Sequence, residues 1–98
     1  MAIRTFREKA SEDICHGRRS KQSHKRLPPE LHDKARIKLA RLAAATILSD
    51  LAELRGNRLE MLKGNRAGQC SIRINDQYRI CFRWEGTDAY EVEITDYH

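Results

Sequence analysis

The feature that most limits what this chain can fold into is a change of hydrophobic period near Gly56. Before it, Leu31, Ala35, Leu39 and Leu42 recur at helical spacing, with Lys34, Arg36, Lys38 and Arg41 largely outside the stripe. After it, apolar and polar residues alternate. A 3.6-residue period buries one stripe of a helix, and a period of two buries one face of a strand. A chain that runs the first pattern and then the second implies an α+β fold, with two N-terminal helices packed on one face of a small antiparallel sheet.

The main helix is expected from Glu30 to about Ala45, entered through Pro28 and Pro29, which suit a first helical turn. Thr46 to Leu54 adds a further turn with Ile47, Leu51 and Leu54 inward. Upstream, Ile3 to Phe6 (IRTF) reads as a first strand. REKASEDIC reads as a short helix closed near Gly17, and HGRRSKQSHKR as a basic loop without an acid. In the second half LEML is a short strand before the turn KGNRAG. QCSIRIN puts Cys70, Ile72 and Ile74 on the core face. QYRICFRW puts Tyr78, Ile80, Phe82 and Trp84 there, with Arg79, Cys81 and Arg83 opposite. Asn75-Asp76 and EGTD supply turns, and AYEVEIT returns with Tyr90, Val92 and Ile94 inward.

The 98 residues are expected to form a single domain, 1–98, with one modest core. A net charge of +5 favours nucleic acid or an acidic protein as partner. Three dispersed cysteines without a C-x-x-C pair suggest reduced thiols, and the four histidines show no H-x-x-x-H spacing, so no metal is expected. With no apolar run of membrane length and no leader-like N-terminus, the expected setting is the cytoplasm, with no membrane partner.

Core faces core across an antiparallel pair, so the last hairpin is expected to set Trp84 against Tyr90, Phe82 against Val92, Ile80 against Ile94 and Tyr78 against Asp96. That register gathers Arg79, Asp96, Tyr97 and His98 at one end of the sheet. RNA cleavage by its own 2′-OH needs a proton acceptor, a cation for the charged phosphorane and an acid for the leaving 5′ oxygen. A histidine such as His98 can serve as acid or base near neutral pH, and the Arg79 fork fits a phosphate. On these residues alone the plainer reading is a polar strand end, with Arg79 and Arg83 in ordinary cross-strand ion pairs with Glu91 and Glu93.

GNRLEMLKGNRAGQCSIRINDQYRICFRW, the ending YEVEITDYH, the helix LPPELHDKARIKLARLAAA and the opening IRTF together resemble the HigB-like branch of the RelE toxin superfamily. The resemblance implies the toxin of a type II toxin–antitoxin pair, a ribosome-dependent mRNA endonuclease of compact α+β fold without metal or other cofactor. It implies a helix-turn-helix, HigA-like antitoxin as partner, contact with ribosome and mRNA, and operator DNA bound indirectly through the antitoxin complex. Carried over by motif, Lys63 and Arg79 bind the scissile phosphate, His98 and Asp96 handle protons, and Tyr97 stacks on a base or positions the 2′-OH. Some relatives have a histidine before the lysine turn, where RLEML offers only Glu60, so either Glu60 replaces it as the base or the proton transfer is arranged differently here. Arg66, Arg73 and Arg83 are candidate RNA contacts.

The alternative is a non-catalytic basic module that binds antitoxin, operator DNA or RNA only. Apart from the resemblance, Lys63 in its Gly-rich turn reads first as an ordinary solvated lysine, and the basic loop from Arg18 to Arg26 as a mobile solvated loop or, as the alternative, a contact for ribosomal RNA or an acidic antitoxin segment.

Overall fold

The structure is a computed structural model that describes residues 2–53 and 56–96. Its elements are α1 (Lys9–Cys15), α2 (Lys21–Arg26), a 3-10 turn (Pro29–Leu31), α3 (His32–Ala44), α4 (Leu48–Ala52), β1 (Glu60–Met61), a second 3-10 turn (Gly64–Arg66), β2 (Gln69–Arg73), β3 (Tyr78–Glu85) and β4 (Asp88–Asp96). The strands form one antiparallel sheet in the order β1-β2-β3-β4. The α+β class read from the change of period therefore holds.

One face of the sheet carries the core. Ile72 and Ile74 from β2, Ile80 and Phe82 from β3, and Ala89, Val92 and Ile94 from β4 pack with Ile14, Leu27, Ala35, Leu39, Leu42 and Leu51 from the helical half. Burying each large member contributes about 1.5–3 kcal/mol, which is what holds the helices to the sheet.

Four expectations are corrected. The basic segment expected to be a loop contains α2. Ser20 caps it by accepting from the Ser23 amide at 3.1 Å, while the Ser23 hydroxyl accepts from the Ser20 amide at 3.0 Å. Those reciprocal bonds satisfy two otherwise orphaned donors and start a helix where the charge pattern suggested none. The expected first strand is instead a pair of isolated parallel bridges, Ile3 to Ala89 and Phe6 to Val92. The expected Glu30 start is a 3-10 turn, and the α-helix begins at His32. In the turn that follows, Leu51 is buried but Ile47 is exposed, and Leu54 lies outside the described residues.

The hairpin register is as expected from Tyr78 to Cys81, with Tyr78 against Asp96 and Ile80 against Ile94. It then slips at a bulge. Trp84 faces Ala89, and Tyr90 faces Arg83. Glu91 carries the bulge at φ 55°, a left-handed conformation without a glycine. Its amide donates to the Thr5 hydroxyl at 2.8 Å, so the N-terminal segment holds the irregularity in place. The inward position expected for Tyr90 is taken by fully buried Ala89.

Further along β4 the outer edge is satisfied by side chains. The Ile94 amide donates to Ser11 Oγ at 2.9 Å, and Arg26 Nη1 donates to the Ile94 carbonyl at 3.4 Å. An edge covered in this way offers little to a foreign strand.

Candidate functional site

The sheet face away from the helices is polar, and its centre is buried. Ser71 of β2 and Cys81 of β3 sit opposite one another, with 0% and 1% exposure. Beside them Arg79 is 8% exposed. A buried guanidinium is costly unless its donors are satisfied. Here Arg79 Nε donates to Ser71 Oγ at 2.7 Å, and Nη2 donates to the Arg58 carbonyl and, at 3.4 Å, to the Ser71 carbonyl. These bonds fix the plane of the fork. Nη1 lies 3.7 Å from Glu60 Oε1, and that carboxylate is 53% exposed. A fixed cation thus sits beside an accessible proton acceptor.

Each of these positions follows from local structure. Strand parity sends Ser71, Arg79 and Glu60 to the same face, since Glu60 pairs with Ser71. Arg58 precedes β1 with φ 44°, which turns its carbonyl inward toward Arg79. The Arg73 amide donates to the Asn57 carbonyl at 2.6 Å, tying the same segment to β2. Arg73 and Arg79 pair across the strands as like charges. The repulsion is relieved because Arg73 turns out to Asp76.

The remaining candidates are dispersed. Lys63 is exposed at the head of the second 3-10 turn. Arg66 anchors that turn, donating to Gln69 and to Glu93 at 3.0 Å each. Arg83 pairs with Glu85 at 2.6 Å and Glu91 at 3.6 Å, and lies 5.1 Å from the Tyr90 ring centre. The ion pair foreseen between Arg83 and Glu91 therefore exists, whereas Arg79 lies across from Thr95. Asp96 has the parity of the core residues. Its carboxylate accepts from Gln77 Nε2 at 2.9 Å at the mouth of a cleft on the helix side, lined also by Glu8, Lys25, Arg26 and Tyr78. Asp96 and Arg79 thus leave opposite faces of the sheet. Tyr97 and His98 lie outside the described residues. Burial pushes the Cys81 thiol up, which leaves it protonated and a poor nucleophile.

Sequence reasoning missed two supports of this face. Lys38, expected outside the helical stripe, is 7% exposed and donates to Asn57 Oδ1 at 2.7 Å. Burial, and the positive charges of Arg41, Lys34 and Arg73, lower its pKa. Asn57 is fully buried and donates through Nδ2 to the Leu51 carbonyl at 3.1 Å. A signal was present for Lys38, which falls three residues after Ala35 and four before Leu42, on the flank of the stripe.

The arrangement can be set beside known proteins. Residues 6–98 match a family model described as the RelE-like toxin of the type II toxin–antitoxin system HigB. The chain belongs to the HigB-like toxin family. It is 46% identical over 61 residues to Toxin HigB-1 of Vibrio cholerae serotype O1, covering 62% of this chain and 64% of that protein. An uncharacterized protein of Haemophilus influenzae is 30% identical over 67 residues, 68% of this chain and 66% of the other. Each match spans just under two thirds of the relative. In fold, the chain resembles the solved YoeB-YefM complex from Staphylococcus aureus, with a TM-score of 0.62 at 23% identity, covering 98% of this chain and 94% of that one. The buried arginine and exposed glutamate of the outer face form the best-defined candidate site among the described residues of this chain.

Proposed function

We propose that this chain is the toxin of a type II toxin–antitoxin pair and cuts mRNA on the ribosome. The observation that carries the reading is the Arg79–Glu60 pair, a cation fixed by hydrogen bonds 3.7 Å from a solvent-accessible carboxylate. In the proposed reaction Glu60 takes the 2′-OH proton and O2′ bonds to phosphorus. Arg79, with Lys63, holds the charge that develops on the phosphorane. The P–O5′ bond then breaks and the 5′ oxygen takes a proton from His98, leaving a 2′,3′-cyclic phosphate and a 5′-hydroxyl. Asp96 supports His98, and Tyr97 stacks on a base or positions the 2′-OH. Arg66, Arg73 and Arg83 exchange local carboxylates for RNA phosphates, since partly exposed ion pairs are worth only about 0.2–1 kcal/mol.

The reaction calls for no metal or other cofactor. The proposed partner that silences it is a helix-turn-helix, HigA-like antitoxin, through which operator DNA is bound. None of the described helices is long and apolar enough to cross a membrane, and the proposed substrate places the protein with ribosomes in the cytoplasm.

Ribosomes carrying a defined message, incubated with wild type, His98→Ala and Arg79→Ala, test the reading. Ribosome-dependent cuts at the decoding site that vanish in both variants are expected. An uncut message, with tight antitoxin binding retained, would select the non-catalytic binding module instead.

A further inference from the structure

Behind Arg79 runs a chain of contacts that starts in the helical half. Lys38 of α3 donates to Asn57 Oδ1 at 2.7 Å; Asn57 Nδ2 donates to the Leu51 carbonyl of α4; the Asn57 carbonyl accepts from the Arg73 amide; and the Arg58 carbonyl accepts from Arg79. The segment so held is unusual. Gly56 has φ 83° and Arg58, a non-glycine, has φ 44°. Such a turn persists only where its surroundings over-determine it. The surroundings here are the buried Lys38 ammonium and the fully buried Asn57 amide, neither of which the proposed chemistry uses. A lysine buried against two other cations of its own helix and Arg73 of β2 is a costly way to brace a turn.

We propose that Lys38 and Asn57 are positioning residues that lock the Gly56–Arg58 turn, and through the Arg58 carbonyl set the orientation in which Arg79 presents its fork to phosphate. The inference rests on the phosphate-binding reading of Arg79 for its consequence in cleavage, while its geometric content is independent of that reading. The turn acts as a backstop. With it in place, Nη2 and Nε are occupied on the protein side and Nη1 stays aimed beside Glu60. Without it, the Arg58 carbonyl swings away and the guanidinium gains freedom, which weakens a directed contact through Nη1 more than it weakens attraction to a charged message.

The test combines kinetics with a direct view of the arginine. In the ribosome-dependent assay, Lys38→Met and Asn57→Ala are each expected to lower kcat by about tenfold with little change in KM, a loss confined to the transition state. In an Arg79→Lys background, which already lacks the fork, the same substitutions are expected to cost less than twofold. Equal losses in both backgrounds would show a general structural role and overturn the inference. In parallel, NMR of the Arg79 guanidinium, which needs no ribosome, is expected to show faster rotation about the Cζ–Nη2 bond in both variants at unchanged backbone fold, because Nη2 is the group that the Arg58 carbonyl holds. An Nη2 group that rotates as slowly as in the wild type in folded Asn57→Ala would also overturn it, even if Lys38→Met fails to fold. If the wild type cuts no message, the cleavage reading falls, and the NMR result alone decides whether the turn holds the arginine.

Discussion

The two faces of strand β3 are buried to nearly the same degree by opposite means. On one, Ile80 and Phe82 are fully covered by helices and held by dispersion and the hydrophobic effect. On the other, Arg79 and Cys81 are covered by their own sheet and its loops, and Arg79 is held by hydrogen bonds to Ser71 and Arg58. The first face tolerates any apolar residue of suitable volume. The second tolerates only partners that satisfy a guanidinium, because an unpaired buried charge costs several kcal/mol. Burial by volume makes a core, and burial by hydrogen bonding fixes the direction of a charged group.

The largest effect separating the faces is expected at Phe82. Phe82→Ala is predicted to lose about 3–5 kcal/mol of stability, read from urea denaturation. On the other face, Ser71→Ala strands the Arg79 Nε–H and is predicted to cost about 1–3 kcal/mol. It should also lower the cleavage rate, and a stability loss without a rate loss would detach Ser71 from the site. A smaller effect tests paired burial away from both faces. Asp13 accepts from Ser20 Oγ at 2.7 Å, and that bond, with Lys9 and Arg18, holds its carboxyl below the usual 3.8 despite the opposing effect of burial. Because the folded value is depressed, its contribution is present above pH 3.8 and is lost as pH falls through the folded value. Asp13→Asn is therefore expected to flatten the acid limb of the urea midpoint, and an unchanged limb would contradict the pairing. The smallest effect is at the β4 bulge. Glu91→Gly, at φ 55°, is predicted to gain about 0.5 kcal/mol, since the relief of left-handed strain slightly exceeds the entropy a glycine loses.

The faces also differ in how far they could be read from sequence. Alternation alone assigned Cys70, Ile72, Ile80 and Phe82 to the core and Arg79 and Cys81 to the far side, because strand parity is a local property. The register carried from Tyr78 to Cys81 and failed where Glu91 adds a residue, since no glycine marks the bulge and the Thr5 hydroxyl that stabilises it is distant in sequence. Helix α2 was hidden because Ser20 and Ser23 cap it with weak local signals inside a basic run. The residue types of the candidate pair, Arg79 and Glu60, were legible in the sequence. Its geometry was not. The Arg58 carbonyl is a backbone group with no side-chain signature, and Lys38 reads as solvated until the 56–58 segment covers it. Asp96 shows the opposite case, a residue adjacent to the arginine by register and yet pointed to the other face.

Adjacent residues on opposite faces of β3 give the most direct test. Single-turnover cleavage of a ribosome-bound message would be measured for Arg79→Lys and Ile80→Val at matched folded fraction. Arg79→Lys keeps the charge but loses the fork, and is predicted to slow cleavage at least tenfold, about 1.4 kcal/mol of transition-state stabilisation. Ile80→Val is predicted to lose stability and keep the wild-type rate. Equal rates in both variants, both matching the wild type, would contradict the placement of the site on the outer face.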